Sequence, residues 1–230
     1  MLPCSESASR PAPCFATAAD IETEKTILGI IRAARPGDAV LGEEGGQQGV
    51  GDAVRQWLVD PLCGTLNYAA GNMLVAVNVA LRDGAAAVAD PFSGEVFFTD
   101  GETTGVRQGG ADDALLTPTP ATRLVDVNLD PPFPNAPGSP AVDVLDHPEF
   151  VARFRPRVVS TSLALAWVAA GKRAARVIDG GDLSRSVHFA AGIAVCRAAG
   201  RVVTGIDGVP TGEAGRGLGP SLAGRVAACR

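Results

Sequence analysis

The stretch Trp57-Leu58-Val59-Asp60-Pro61-Leu62-Cys63-Gly64-Thr65-Leu66-Asn67-Tyr68 decides how this chain folds. Its first three residues form a short apolar run, which is typical of a buried strand. The proline at 61 and the glycine at 64 are turn residues. The stretch therefore predicts a buried strand followed by a turn that carries two chemically active side chains, Asp60 and Cys63.

On either side of this stretch, the sequence alternates between helical and strand-like patterns. Apolar residues at helical spacing predict a helix over 19–34. Short apolar runs bounded by Gly, Pro or Asp predict strands, the later ones joined by turns into an antiparallel meander. These strands are Ala39–Leu41, Trp57–Val59, Met73–Leu81, Ala85–Ala89 and Glu95–Thr99. Two further helices, over 160–170 and 189–199, flank a strand over 174–178. The mixture predicts an α/β or α+β layered fold.

Two segments lack any such periodicity. Residues 1–16 are expected to form a loose leader. Five prolines between 130 and 140 predict a linker or a flap near the site. The expected organisation is a single domain over 17–230, with an N-terminal lobe over 17–120 and a C-terminal lobe over 141–230.

Composition and charge exclude several classes of protein. The chain has 230 residues, of which 46% are hydrophobic and 20% charged, as in ordinary globular proteins. No apolar run approaches the roughly 20 residues that span a bilayer, and no secretion signal is recognisable, so we expect a cytoplasmic protein without a membrane partner. The net charge of −5 and the lack of a basic patch argue against binding to nucleic acid. Five cysteines without a CxxC spacing argue against a disulfide framework or a zinc ribbon.

Three segments resemble, in the same order, the motifs of the inositol monophosphatase family. They are Leu41–Gly46, Trp57–Tyr68 and Val187–Gly192. The resemblance implies that family's α-β-α-β-α sandwich, and usually a homodimer. It also implies a site for two or three Mg²⁺ ions. In the family these ions are held by a Glu, by both acidic residues of an Asp-Pro-Ile/Leu-Asp-Gly-Thr turn and by the Asp of a Trp-Asp-x-Ala-Ala-Gly motif, and they activate the water that attacks the phosphate.

The chain departs from this pattern at two metal ligands. Glu43 and Asp60 match, but Cys63 and His188 stand where the resemblance places aspartates. Mg²⁺ prefers oxygen ligands, whereas thiolate and imidazole select softer ions. We therefore expect the Mg²⁺ machinery to be damaged and no cofactor to be required. Since the two aspartates bind one ion in the family, Cys63 and His188 are expected to be neighbours.

A thiol beside an imidazole is the nucleophile–base pair of cysteine catalysis. In this interpretation Cys63 is the nucleophile and His188 the general base, and either Asp90, which we favour, or Asp60 orients the imidazole. Gly64 and Thr65, at what resembles a helix N-terminus, would then lower the thiol pKa and bind an oxyanion.

Such a triad resembles that of the Dieckmann-type cyclases of bacterial polyketide–nonribosomal peptide pathways. The resemblance implies a thiol-dependent acyltransferase or cyclase of antibiotic biosynthesis. It would release a β-ketoacyl-aminoacyl thioester from an acyl or peptidyl carrier protein as a tetramic acid or pyridone.

Three alternatives stay open. The first is a degenerate, Mg²⁺-dependent phosphatase that holds an ion with Glu43, Asp60 and the Leu62 carbonyl. The second is a softer metal site at Asp60, Cys63 and His188, of the catalytic zinc type. The third is a non-catalytic binding or dimerisation module.

Overall fold

The computed structural model describes residues 16–50, 52–117, 122–129, 140–179, 183–204 and 226–229. Nearly all of the predicted leader over 1–16 and of the flap over 130–140 lies outside these ranges. The helices are α1 (Ala18–Ala34), α2 (Thr65–Ala69), α3 (Pro140–Asp146), α4 (Pro148–Arg153), α5 (Leu163–Ala169) and α6 (Ala190–Ala198), with a 3-10 turn at Leu183–Arg185. Within the described ranges, no helix is long and apolar enough to cross a membrane.

The strands form two sheets. They are β1 (Ala39–Gly42), β2 (Gly46–Gln48), β3 (Gln56–Cys63), β4 (Ala76–Leu81), β5 (Ala86–Ala89), β6 (Glu95–Thr99), β7 (Thr104–Gln108), β8 (Ala114–Leu115), β9 (Leu124–Val127), β10 (Arg155–Val158), β11 (Ala175–Asp179), β12 (Val203–Thr204) and β13 (Val226–Cys229). The first sheet has the order β2-β1-β3-β4-β5-β6-β7-β8 and is antiparallel except where β1 runs parallel to β3. The second has the order β10-β9-β11-β13-β12, with β10, β9 and β11 parallel.

Three apolar clusters show how the layers stack. On one face of the first sheet, Leu28 and Ile31 of α1 pack against Val40 and Val59. On its other face lies the largest cluster, to which strands β3 to β6 and helices α5 and α6 contribute. The second sheet packs its Val125, Val127 and Val177 against α3 and α4. The resulting order of helix, sheet, helices, sheet and helices confirms the predicted α-β-α-β-α sandwich.

Strand β3 is longer than the apolar run at 57–59 predicts, because it continues through Pro61 to Cys63. Its pairing with β4 shifts register between Asp60 and Cys63. Such a bulge accommodates a proline that lacks an N–H for the ladder. The bulge therefore carries the strand into the polar segment on which the site is built.

Candidate active site

Asp60 is the buried centre of the site. Side chains of a strand alternate between its faces, and Val59 packs toward α1 whereas Leu58 belongs to the core on the opposite face. The fully buried Asp60 carboxylate uses Oδ1 to accept the Leu62 N–H at 3.0 Å. Its Oδ2 lies 2.8 Å from Nδ1 of His188, which stands two residues before α6. Two distant segments thus meet at one carboxylate.

Cys63 completes a three-residue cluster with Asp60 and His188, since one ligand-capable atom from each lies within 4.8 Å of the others. The predicted proximity of Cys63 and His188 is therefore seen in the structure. Ser162, at the start of α5, contacts the Cys63 sulfur through its backbone N–H and its hydroxyl. The proton of that hydroxyl is donated to Oδ1 of Asn78, at 2.9 Å, so the hydroxyl oxygen can only accept from the thiol. Asn78 is the cross-strand neighbour of Asp60, so β3, β4 and α5 all hold this cluster.

The loop after β1 brings two more carboxylates to the site, Glu43 and Glu44. Glu24 of α1 is buried and accepts the N–H groups of Glu44 and Gly45 at 2.9 and 2.8 Å. A Cβ at Gly42 would lie 2.6 Å from the Glu24 carboxyl group, so this close approach requires glycine. Helix α1 thus fixes the loop that carries Glu43.

Glu43 lies in a strongly acidic environment. Burial, and then the negative charge of Asp60, raise the pKa of Glu43 to about 10. Its Oε2 is buried without a hydrogen-bond partner. Among the described residues, His188 is the only basic side chain within 4 Å of Glu43 or Asp60, its Nδ1 lying 3.9 Å from Glu43 Oε1. A buried carboxylate with so little compensation is suited to a bound cation.

Asp20 and Thr65 form a pair that the sequence did not predict. We expected Thr65 to bind an oxyanion, and we gave Asp20 no role. The Thr65 hydroxyl lies 3.0 Å from Oδ1 of the fully buried Asp20. The Thr17 N–H and hydroxyl donate to the other carboxylate oxygen, at 2.8 and 2.5 Å. A signal was present, because Asp20 and Glu24 share one helical stripe with the core residues Leu28 and Ile31.

Asp90, which we favoured as the partner of His188, does not take that place. Its Oδ1 accepts the N–H groups of Phe92 and Ser93, at 2.9 and 3.1 Å, and so holds its own turn. An aspartate before a tight turn commonly binds backbone N–H groups in this way. The carboxylate at hydrogen-bond distance from His188 is that of Asp60.

The titration behaviour of the cluster also differs from our expectation. Removal from water, and then the charge of Asp60, raise the pKa of the Cys63 thiol above its usual value, despite the Ser162 contacts. A nucleophile would need a lowered pKa. For His188, burial lowers the pKa, but the hydrogen bond and charge of Asp60, with Glu44, outweigh it and raise the pKa overall. The cluster therefore favours the thiol and the imidazolium rather than the reactive ion pair.

The possible ligand atoms around Asp60 fall into two chemically different sets. Glu43, Asp60 and the Leu62 carbonyl offer oxygen atoms only, and the unpartnered Glu43 Oε2 is among them. This set fits Mg²⁺. The Leu62 carbonyl also lies 3.1 Å from the Thr65 hydroxyl, which leaves one of its lone pairs available. Asp60, Cys63 and His188 offer one oxygen, one sulfur and one nitrogen, a set that does not suit Mg²⁺.

Fold and site together define a class of protein, a layered α/β protein with an acidic centre whose side chains offer ligands for a cation. Comparison with known proteins identifies the family within that class. The sequence profile of the inositol monophosphatase family matches residues 6–229, and the chain belongs to that family.

Individual relatives agree with this assignment. The chain is 34% identical over 206 residues to Inositol-1-monophosphatase ImpA of Mycolicibacterium smegmatis, covering 85% of this chain and 71% of that protein. It is also 34% identical over 206 residues to Inositol-1-monophosphatase of Caulobacter vibrioides, with coverage of 84% and 76%. The solved inositol monophosphatase of Anabaena has a TM-score of 0.70 and 26% identity, covering 92% of this chain and 81% of that one.

These findings correct our prediction of function. The thiol-dependent cyclase of tetramic acid or antibiotic biosynthesis is wrong, because the relatives are named as phosphatases. The expectation that no cofactor is required is wrong as well, because the enzymes of this family depend on Mg²⁺. The raised pKa of Cys63 agrees with the first correction, because it disfavours the thiolate nucleophile.

Proposed function

We propose that this protein is a Mg²⁺-dependent phosphoric monoester hydrolase that acts on a small phosphorylated polyol such as inositol 1-phosphate. The observation that carries the proposal is the pair formed by Thr65 and Asp20, which lies at the Leu62 carbonyl and close enough to Glu43 for the Asp20 charge to act on it. The substrate class rests on two relatives, both named inositol-1-monophosphatase.

Thr65 and Asp20 have the chemistry of a proton acceptor for water. The Thr65 hydroxyl donates its single proton to Asp20, which leaves the hydroxyl lone pairs free to accept a hydrogen bond from water. As the water oxygen bonds to phosphorus and the ester P–O bond breaks, the water proton moves to Thr65 and the Thr65 proton moves to Asp20, while the departing alcohol oxygen takes a proton from solvent. Thr17 holds the Asp20 carboxylate in position for this transfer.

The cation of this site would be held by Glu43, Asp60 and the Leu62 carbonyl. When bound, Mg²⁺ supplies Lewis-acid polarisation of the phosphate and makes a water molecule more acidic. Glu24 keeps the Glu43 loop in place. Gly64 adopts a left-handed conformation with φ of 101°, which allows the chain to turn from β3 into α2.

The proposal is tested by measuring phosphate release from inositol 1-phosphate with and without Mg²⁺, in a matched pair of variants. Asp60→Asn should lower kcat/KM by at least about 100-fold, because it removes a charged ligand. Asp90→Asn should stay near wild type, because the asparagine oxygen still accepts the N–H groups of its turn.

Two results would contradict the proposal. One is a lack of phosphate release from inositol 1-phosphate and from a panel of other small phosphate monoesters at saturating Mg²⁺. The other is full activity of Asp60→Asn in a folded protein. A carrier-protein partner and a homodimer stay predictions, which a single chain does not test.

A further inference from the structure

The proposed function leaves the Cys63 thiol and the His188 imidazole without a role, although both lie against Asp60. We propose that Asp60, Cys63 and His188 form a second cation position that selects Zn²⁺, or a similar soft divalent ion, over Mg²⁺. This inference rests on the proposed function, since both place a cation at Asp60.

The first support is the geometry of the three side chains. Their ligand atoms lie within 4.8 Å of one another. Around a tetrahedral zinc, with bonds of about 2.0 Å to nitrogen and oxygen and about 2.3 Å to sulfur, ligand atoms are roughly 3.3 to 3.6 Å apart. The His188 side chain is 41% exposed and therefore has room to adjust. Only small side-chain movements separate the cluster from a zinc-binding arrangement.

The second support is donor chemistry. Sulfur, imidazole nitrogen and carboxylate oxygen are the three ligand types that zinc accepts in proteins. Three protein ligands with an open fourth position are the pattern of a catalytic zinc site. Two negative ligands, Asp60 and the Cys63 thiolate, with a neutral His188 balance the charge of one divalent ion. Zn²⁺ would displace the thiol proton and the second proton of the His188 imidazolium, and both protons would leave to solvent.

The third support is the shell around these ligands. The backbone N–H of Ser162 faces the Cys63 sulfur, a contact that favours a charged sulfur. The Ser162 hydroxyl donates its proton to Asn78, whose side chain is fully buried beside Asp60, and this bond holds Ser162 in place. The second oxygen of Asp60 is fixed by the Leu62 N–H, which leaves the oxygen facing His188 to serve as ligand. The ligands are thus oriented by bonds from β3, β4 and α5.

The experiment measures metal binding by the full chain after treatment with a chelator. Co²⁺ replaces Zn²⁺ as a spectroscopic probe, because a cobalt–thiolate bond gives a charge-transfer absorption that oxygen ligands do not give. The affinity for Zn²⁺ is measured by competition with a chromophoric chelator. Wild type should bind one Zn²⁺ with the thiolate band of the cobalt form, and Cys63→Ser should lose the band.

Four further variants make the outcome specific. Cys63→Ala and His188→Gln should each weaken Zn²⁺ binding by at least about 100-fold, since even changes behind a ligand cost 10- to 100-fold. Cys196→Ser is the matched control, because the buried Cys196 donates to the Leu165 carbonyl and a serine can do the same. The double variant with Cys63→Asp and His188→Asp should lose zinc selectivity and gain affinity for Mg²⁺.

The inference is overturned if wild type shows no thiolate band, or if Cys63→Ala binds Zn²⁺ as tightly as wild type. Circular dichroism shows which variants are folded, and His188→Gln tests the site separately should the Cys63 variants fail to fold. Phosphate release with Mg²⁺ alone is measured in parallel. If the protein hydrolyses phosphate esters but does not bind zinc, this inference alone is refuted. If it forms a zinc–thiolate site but hydrolyses no phosphate ester, the proposed function alone is refuted.

Discussion

A single hydroxyl proton sets the role of Thr65. Two acceptors lie near it, Asp20 Oδ1 at 3.0 Å and the Leu62 carbonyl at 3.1 Å. A carboxylate is the stronger acceptor, since charged hydrogen bonds are roughly twice as strong as neutral ones. The proton is therefore expected on the Asp20 side, where it can move when Thr65 accepts another from water.

We accordingly predict different effects for two substitutions of Thr65. Thr65→Ala should lower kcat by about 10²- to 10⁴-fold, the range typical of a lost acid–base group. Thr65→Ser keeps the hydroxyl and should stay within about tenfold of wild type. Steady-state phosphate release at saturating Mg²⁺ measures both. Thr26→Ala is the control, because that hydroxyl caps an exposed carbonyl of α1. Equal loss in the alanine and serine variants would refute the relay.

At the same scale, residue type alone suggested the wrong chemistry. The proximity of Cys63 and His188 was predicted from the resemblance, and the structure brings them together. Their ionisation could not be predicted, because it depends on burial and on the charges of Asp60 and Glu43. The choice of Asp90 failed for a similar reason, since a short-range turn competes for its carboxylate.

At the scale of elements, the contact between α1 and the β1–β2 loop shapes the site. The Glu24 carboxylate binds two consecutive N–H groups of that loop, those of Glu44 and Gly45. The loop carries Glu43, so the position of this proposed metal ligand depends on Glu24, a buried helix residue.

We predict that Glu24→Ala both destabilises the fold and weakens cation binding. Two N–H groups would lose a charged acceptor, at a cost of about 1 to 3 kcal/mol in the free energy of unfolding. The Mg²⁺ concentration for half-maximal activity should rise, because Glu43 loses its fixed position. Urea denaturation and a Mg²⁺ titration of activity measure the two effects. Glu22→Ala, an exposed position on the same helix, should change neither. A stable Glu24→Ala variant with an unchanged Mg²⁺ requirement would contradict this role.

Elements with strong local patterns were predictable from the sequence. Helix α1 and the meander of β4 to β6 follow the expected apolar periodicity. Short strands such as β2 and β8 were not predicted, because two or three residues carry no periodicity and pairing with a neighbour defines them. The extension of β3 past Pro61 depends on a bulge in its pairing with β4, which is a non-local feature.

At the scale of the whole molecule, negative charge concentrates where the site lies. The chain has a net charge of −5, and Asp20, Glu43, Glu44 and Asp60 meet around one buried centre. Folding brings these carboxyl groups together and removes them from water. The site therefore lowers the free energy of unfolding unless protons or cations bind there.

The stability of the fold should depend on pH and on Mg²⁺ through Glu43. Glu43 has a pKa of 4.5 as an ordinary carboxyl and about 10 in the fold, so its protonated form is the one the fold favours. A raised pKa contributes stability that is fully present below about 4.5 and is lost as the pH rises toward 10. The raised pKa of His188 acts in the same direction. Without metal, Tm should therefore fall from about pH 6 to about pH 9, and Mg²⁺ should raise Tm more at the higher pH, because it replaces the proton.

Glu43→Gln should flatten the pH dependence and reduce the effect of Mg²⁺, whereas Glu22→Gln should behave like wild type. Thermal denaturation of the three proteins across this pH range, in chelator and in excess Mg²⁺, measures these effects. A metal-free Tm that does not fall with pH, or an undiminished Mg²⁺ effect in Glu43→Gln, would show that Glu43 is not the group through which the cation stabilises the fold.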